Sequence, residues 1–447
     1  MRDVTDGSIM KNIFHLAWPT MIAMVLHAGF NIVDTIYIGR LGSDSIAAIS
    51  IVFPLVMLMF ALGNGVGIGA TSLIARYVGA KKLKQADNAA EHSYLITFFL
   101  SIFFTSFGLL FAKPIFALMG VTPSVAGLAW NYSRWIFGFS IFMFIGMASN
   151  SILRGLGSMK IPMIGMVSAT IINMILDPLL IFGLLGFPKL GIDGAAIATV
   201  FSRLIGMIIV LAFIFSSKTA ISIKPRNFKF KKMFIKNIFK VGIPASLNQS
   251  LMSISLFVFN VILATFGSIG LATYGIGFRL ESVIFLPIIA LSTAVITIVG
   301  QNVGAKKYDR AEQTVWSSIK ITTLIVAFLS ILLFIFPKAI FGVFTNEPQL
   351  LAEGISFLRI ISLNYVFVAV VILISGAFQG AGKAMPALIL NTIRLFVIAL
   401  PLMWFLSFVL KIGLIGIWWS FVISSIVSSI IAVIWFKTGS WKKATLK

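Results

Sequence analysis

The sequence predicts an all-α membrane protein: twelve transmembrane helices in two six-helix lobes related by a parallel internal repeat. Three observations carry that expectation. The apolar fraction is 59% and only 11% of residues are charged, where soluble domains run at about 45–50% apolar. Apolar runs of the length needed to cross a hydrocarbon core of about 30 Å recur twelve times. Finally, one 225-residue offset superimposes the first half on the second. Pro19 falls on Pro244, and Leu41-Gly42 on Phe266-Gly267. Val78-Gly79-Ala80-Lys81-Lys82 falls on Val303-Gly304-Ala305-Lys306-Lys307, and Gly155 and Gly157 on Gly380 and Gly382. Later the offset slips to 222, where Gly191 and Gly194 meet Gly413 and Gly416.

The spans of the first half fall at roughly 13–38, 46–75, 93–112, 135–153, 161–187 and 194–216. Those of the second half fall at 241–265, 270–299, 314–336, 360–382, 385–409 and 413–436. The runs are continuous rather than alternating, which favours helices over a barrel. Six spans per half start both halves on the same side, so the repeat axis runs along the membrane normal. The domain plan is 1–217 as an N-terminal lobe, 218–240 as a basic linker and 241–447 as a C-terminal lobe. A V-shaped arrangement with a central cleft is expected, with alternating access by rocking of the lobes.

The net charge of +22 follows the loops. Arg40, Lys113, Arg134, Lys189, Lys338, Arg359 and Lys411 lie on one side, and Arg203, Arg279, Lys320 and Arg394 fall inside spans. The other 24 of the 35 Lys and Arg residues lie on the opposite side, with both termini. That side is expected to be cytoplasmic, and the protein multi-pass in the cell membrane. Nucleic acid is not needed to explain the charge. Segment 218–240 holds eight Lys/Arg and no acid, which suits a linker attracted to a membrane surface.

Several chemistries are excluded or discounted. The chain has no cysteine, so disulfides and thiolate chemistry are absent. It has three histidines and no His-x-x-x-His pair. The opening MRDVTDGSIMKN, with Asp3 and Asp6, lacks the pattern of a cleavable signal peptide or a lipidation motif. Gly63, Gly65, Gly67 and Gly69 loosely match a nucleotide motif, but no strand precedes them. Close helix packing explains them better, since glycines four apart let backbones approach.

The polar residues inside spans are the informative ones, because a mid-bilayer charge costs roughly 2.5–3.5 kcal/mol on insertion scales. Asp34 lies near the outer end of the first span, with Asn31 and His27 on the same helix face. Asp177 lies in the fifth span, with Asn173 one turn earlier and Pro178 directly after. Pro178 weakens the local backbone ladder. Neither acid has a repeat partner: Asp34 maps to Phe259 and Asp177 to Leu402. A rise of 1.5 Å per residue puts Asp177 about 18 Å, and Thr199 about 9 Å, from the outer ends of their spans. With Tyr132 they predict a polar pocket in the outer part of the N-terminal lobe. Two readings of Asp177 stay open, a cation-linked carboxylate or an ion pair with Arg203. Glu281 in the eighth span reads as a structural pair with Arg279, with Arg394 also within possible reach.

At these residues the chain resembles a known family. The features are Asn31, Asp34 and Thr35; Asn173, Asp177 and Pro178; the stretch Gly191 to Thr199; and the paired Val-Gly-Ala turns after Arg76 and Gln301. They are similar to the multidrug and toxic compound extrusion (MATE) family, DinF-like branch. The resemblance implies export of small amphipathic, often cationic, drugs or metabolites, driven by inward H⁺ or Na⁺. It implies cation coupling by Asp34, Asn173, Asp177 and Thr199, with Tyr132 nearby; these would be Na⁺ ligands only if Na⁺ is the coupling ion. No acid stands in 241–265 or 360–382, which disfavours the NorM-like branch. The expectation is thus a monomeric antiporter with the lipid bilayer as its surroundings. It needs no cofactor beyond the coupling ion, binds no nucleic acid and is not an enzyme. A lipid-linked oligosaccharide flippase of the same superfamily is the alternative, with an integral-membrane enzyme behind it. A carboxylate in a low-dielectric pocket can hold a proton near neutral pH, so proton and cationic cargo can compete for one site.

Overall fold

A computed structural model of the chain describes residues 3–216, 219–223 and 228–443. Every long element among them is a helix. The first half runs α1 (Ile9–Gly39), α2 (Ser43–Gly79), α3 (Leu83–Leu118), α4 (Pro123–Gly138), α5 (Ser140–Gly155), α6 (Lys160–Phe182) and α7 (Ile192–Ile214). The second half runs α8 (Lys232–Ala264), α9 (Gly267–Gly304), α10 (Tyr308–Ile335), α11 (Pro337–Gly342), α12 (Pro348–Ile361) and α13 (Asn364–Gly380). It ends with α14 (Met385–Thr392), α15 (Leu400–Trp404) and α16 (Leu414–Lys437).

Among the described residues ten helical stretches are long and apolar enough to cross a membrane, and two more spans are bent pairs, α4 with α5 and α12 with α13. Each pair turns by 47° at its break. The sequence reading started these two spans too late, at 135 and 360. Their outer halves are opened by Pro123 and Pro348 in the first helical turn, where a missing N–H costs nothing. The eleventh span, Met385–Val409, differs in another way. It widens into π-helix over Ile393–Ala399 and Phe405–Val409. The corresponding α6 stays α-helical straight through Pro178.

The repeat extends to the sign of backbone angles. Gly42 and Gly267, Gly157 and Gly382, and Gly191 and Gly413 all take positive φ at the turns between helices. Lys81 (φ 56°) and Lys306 (φ 59°) do so as non-glycines, in the repeated Val-Gly-Ala-Lys-Lys turns. These turn positions explain why the two halves match there in sequence.

The chain divides into two compact units, one of Met1–Asp3 with Trp18–Ile243 and one of Val4–Ala17 with Pro244–Lys447. The division differs from the planned one in two respects. Helix α8 begins at Lys232, inside the segment planned as linker. And Val4–Ala17 joins the second unit because Asn302 Nδ2 and Lys307 Nζ donate to the Val4 and Thr5 carbonyls. Lys307 also pairs with Asp6 at 2.6 Å. In the first unit the core is aromatic and aliphatic, with Phe104, Phe137, Phe144 and Met59 at its centre. Phe259, Tyr365, Phe357 and Trp418 hold the core of the second. Outward-facing Phe99, Leu110, Phe257 and Phe328 are the apolar surface that lipid solvates.

The glycine run of α2 is a packing device. A Cβ on Gly69 would stand 2.3 Å from the Ile238 carbonyl oxygen, and one on Gly242 would stand 3.0 Å from that of Gly65. Helices α2 and α8 therefore cross backbone to backbone. Gly69→Ala is expected to destabilise the protein by about 1–3 kcal/mol, an overpacking cost, seen as a lower melting temperature in detergent. Gly127→Ala, where nothing lies within 4 Å, is the control and should melt no lower than wild type. Equal melting of both variants and wild type would show that the crossing is loose.

Candidate functional site

The site is built where α1, α6 and α7 meet inside the first unit. Ile38, Ile181 and Ala195 form a small buried cluster there, with Tyr37, Tyr132 and Phe182 packed on it. Asp34 stands one turn before Ile38, Asp177 one turn before Ile181, and Thr199 one turn after Ala195. Because α7 runs opposite to α1 and α6, all three steps lead to the same level. The register thus brings two acids and a hydroxyl beneath one hydrophobic plug.

Glycines allow the approach. A Cβ on Gly194 would lie 2.5 Å from the Leu180 carbonyl oxygen, and one on Gly206 would lie 2.9 Å from that of Gly165. Leu190 N–H donates to Leu180 O and Gly191 N–H to Ile181 O, so the loop before α7 folds back on the end of α6. Of the motif glycines noted in the sequence, Gly194 is therefore a spacer that lets α7 press against the Asp177 turn, while Gly191 supplies the positive φ of the turn before it.

Asp177 is fully buried. Its Oδ1 accepts from Asn173 Nδ2 at 2.8 Å. Its Oδ2 is buried with no hydrogen-bond partner among the described residues. The group it faces is the carboxyl of half-buried Asp34. Two ionised carboxylates are acceptors only and repel each other. The contact becomes a hydrogen bond when one proton lies between them. Tyr132 lies within electrostatic reach of both acids and of Arg203.

The other predicted residues fall as follows. Tyr132 joins the cluster directly. Thr199 is half-buried at the level of the acids but shares no hydrogen bond with them among the described residues. His27 and Asn31 lie on an exposed face of α1. His27 stacks near Phe30, with ring centroids 6.4 Å apart, and is within reach of Arg203. The Asn31 carbonyl accepts from Thr35 Oγ1. The Asp177–Arg203 ion pair does not form. Arg203 lies over the Phe60 ring at 5.7 Å and points Nη1 at Met143 Sδ, 3.8 Å away. The Glu281–Arg279 pair is likewise corrected. Residues two apart on a helix point apart, and Arg279 is exposed while Glu281 faces Tyr365 and Arg394. Among the described residues no three His, Cys, Asp or Glu side chains gather as a metal site.

Sequence reasoning missed the tie above the site. Asp193 Oδ1 accepts from Arg134 Nη2 at 2.9 Å and from Trp135 Nε1 at 2.7 Å, fastening α4 to α7. Arg134 is among the basic residues on the outer side and Asp193 lies at the start of the sixth span, and that shared level was the available signal.

A multi-span chain with internal repeats, helical among the described residues, and with two facing acids inside the first unit has the features of a secondary transporter. The MatE family model matches it twice, over residues 19–179 and 244–405, and the chain belongs to that family of membrane transporters. It is 31% identical over 404 residues to the FAD transporter of Shewanella oneidensis, covering 89% of this chain and 88% of that one. It is 29% identical to the probable multidrug resistance protein YoeA of Bacillus subtilis, covering 92% of this chain and 90% of the relative. Among solved structures it matches the outward-facing conformation of a multidrug resistance MATE family transporter of the MOP superfamily. That match has a TM-score of 0.92 at 30% identity and covers 98% of both chains.

Proposed function

We propose that the protein is a proton-coupled antiporter that exports small amphipathic or cationic molecules by alternating access. The observation that carries this reading is the contact between the Asp34 and Asp177 carboxyls. A buried carboxyl pair exchanges one unit of charge when a proton enters, and that change can be read by a cationic cargo. Na⁺ needs several converging oxygens, and the pair with Asn173 offers few, so the proton is the better-supported ion. The second half has the same frame and no acid at the matching positions, which confines the chemistry to the first unit. The Shewanella relative's name widens the cargo to be assayed from drugs to flavin metabolites. The test is efflux from proteoliposomes under H⁺ and Na⁺ gradients imposed separately, with a fluorescent cationic dye and with FAD as cargo. Efflux that follows Na⁺ and ignores pH would overturn proton coupling.

The orientation is part of the same reading. The basic side, with both termini, faces the cytoplasm of a multi-pass monomer in the cell membrane. The chain has no cysteine, so a single cysteine at Lys229 reports its side directly. It should resist an impermeant thiol reagent on intact cells and react after lysis. Ready labelling of intact cells would reverse the topology.

A further inference from the structure

Two apolar grooves adjoin on the basic half of α3. The first has a volume of about 470 Å³ and is lined by Glu91, Tyr94, Leu95, Phe98, Phe215 and Phe228, among others. The second has a volume of about 300 Å³ and is lined by Leu95, Phe99, Phe230 and Phe239, among others. Leu95 belongs to both walls, so the grooves run side by side. From Glu91 to Phe98 the helix rises about 10 Å, so the first groove reaches well below the membrane surface. The Tyr94 hydroxyl is engaged with Ser149 Oγ at 2.9 Å, which leaves the groove apolar.

The segment that closes both grooves is fixed to α3 by His92. Its Nδ1 donates to the Asn88 carbonyl at 2.7 Å, and its Nε2 accepts from the Lys231 N–H at 2.9 Å. Phe228, Phe230 and Phe234 surround the ring at 4.9, 5.9 and 5.1 Å. Phe228 enters one groove and Phe230 the other, with Lys229 between them. Lys229, Lys231 and Lys232 are exposed. Two acids share the region. Asp87 accepts from the Ser222 N–H at 2.9 Å, and Glu91 lines the first groove.

We propose that this is a binding site for one anionic diacyl phospholipid of the inner leaflet. Its two chains fill the paired grooves and its phosphate sits against Lys229, Lys231 and Lys232. Water wets such walls poorly, whereas acyl chains match them. Juxtamembrane lysines attract anionic headgroups by roughly fivefold each. The three lysines outnumber Asp87 and Glu91, which disfavours an amphipathic cation as occupant. The inner-leaflet assignment rests on the orientation proposed above, and the cysteine at Lys229 tests that separately.

Native mass spectrometry of the full chain in detergent tests the site, with phosphatidylglycerol and phosphatidylcholine of identical chains. One phosphatidylglycerol should be retained per protein, preferred at least tenfold over phosphatidylcholine. The triple variant Lys229→Gln, Lys231→Gln, Lys232→Gln should lose that preference. All three side chains are exposed, so the fold should survive, which the melting temperature checks. A photoactivatable acyl chain on phosphatidylglycerol should label α3 between Glu91 and Phe99. Equal retention of the two lipids, an unchanged preference in the triple variant, or labelling spread evenly over the lipid-facing helices would each overturn the proposal. Displacement by millimolar inorganic phosphate would identify a plain anion site and also overturn it. Displacement by a dye cation with no lipid preference would identify a cargo groove instead.

Discussion

Asp34→Asn is expected to abolish gradient-driven export while leaving the protein folded. The substitution keeps the shape of the side chain and removes one of two facing carboxyls. The new amide can donate to Asp177, whose Oδ2 is buried with no hydrogen-bond partner among the described residues. A satisfied hydrogen bond contributes about 0.5–1.5 kcal/mol, so the melting temperature should stay level or rise. The pair can then no longer bind and release a shared proton, and dye efflux should drop to that of empty liposomes. Efflux at wild-type rates would remove Asp34 from the mechanism. A sharply lower melting temperature would instead mark it as a structural residue.

The second large effect separates Asp177 from Arg203. Because Arg203 rests on Phe60 and Met143 rather than on Asp177, the two substitutions should act independently. Asp177→Asn should uncouple export as completely as Asp34→Asn. Arg203→Met should reduce export only a few-fold, with little loss of stability. The double variant should match Asp177→Asn alone, since effects at unpaired sites add. An ion pair would behave otherwise: breaking it from one side strands a buried charge at a cost of about 3–5 kcal/mol, and removing both partners restores much of that. Recovery of stability and transport in the double variant would therefore reject Asp177 as a coupling residue. Both are measured on the same preparations, by melting in detergent and by dye efflux.

Much of the frame could be read from composition and repetition. Length and continuity of apolar runs are properties of the sequence itself, and positive-φ turns leave glycines at fixed offsets, as at Gly157 and Gly382. The bends were not visible, because the local signals, Gly138 and Ser140 at one and Ser362 and Asn364 at the other, also occur within unbroken spans. The site was legible through its misfits. Asp34 and Asp177 stand out in an apolar chain, but counting residues put Asp177 deeper than Asp34, because the loop after Phe182 that folds back on α6 was counted as helix. Partner choice was not legible. Arg203 and Asp177 were matched in depth, but depth fixes one coordinate only, and rotation about α7 turned the guanidinium toward an aromatic ring. Glu281 and Arg279 are two residues apart in sequence, yet helical geometry separates them. Segment 218–240 misled in a different way, since its charge continues into the first turns of α8 and hid the helix start.

The turns that repeat to the sign of φ at Lys81 and Lys306 have a thermodynamic consequence. Two copies of one scaffold have closely matched conformational preferences, so the frame alone gives little bias between states. Whatever bias exists must come from what only one copy holds. A ligand shifts a two-state population only through its difference in affinity for the two states. Swinging that population from 1:99 to 99:1 takes a difference of about ten-thousand-fold. From the near-even population such a frame would leave, the proposed proton site needs to bind only about a hundredfold more tightly in one state to reach 99:1, and cargo can supply part of that. A near-symmetric frame makes that sharing possible, because small unequal bindings then decide which state prevails.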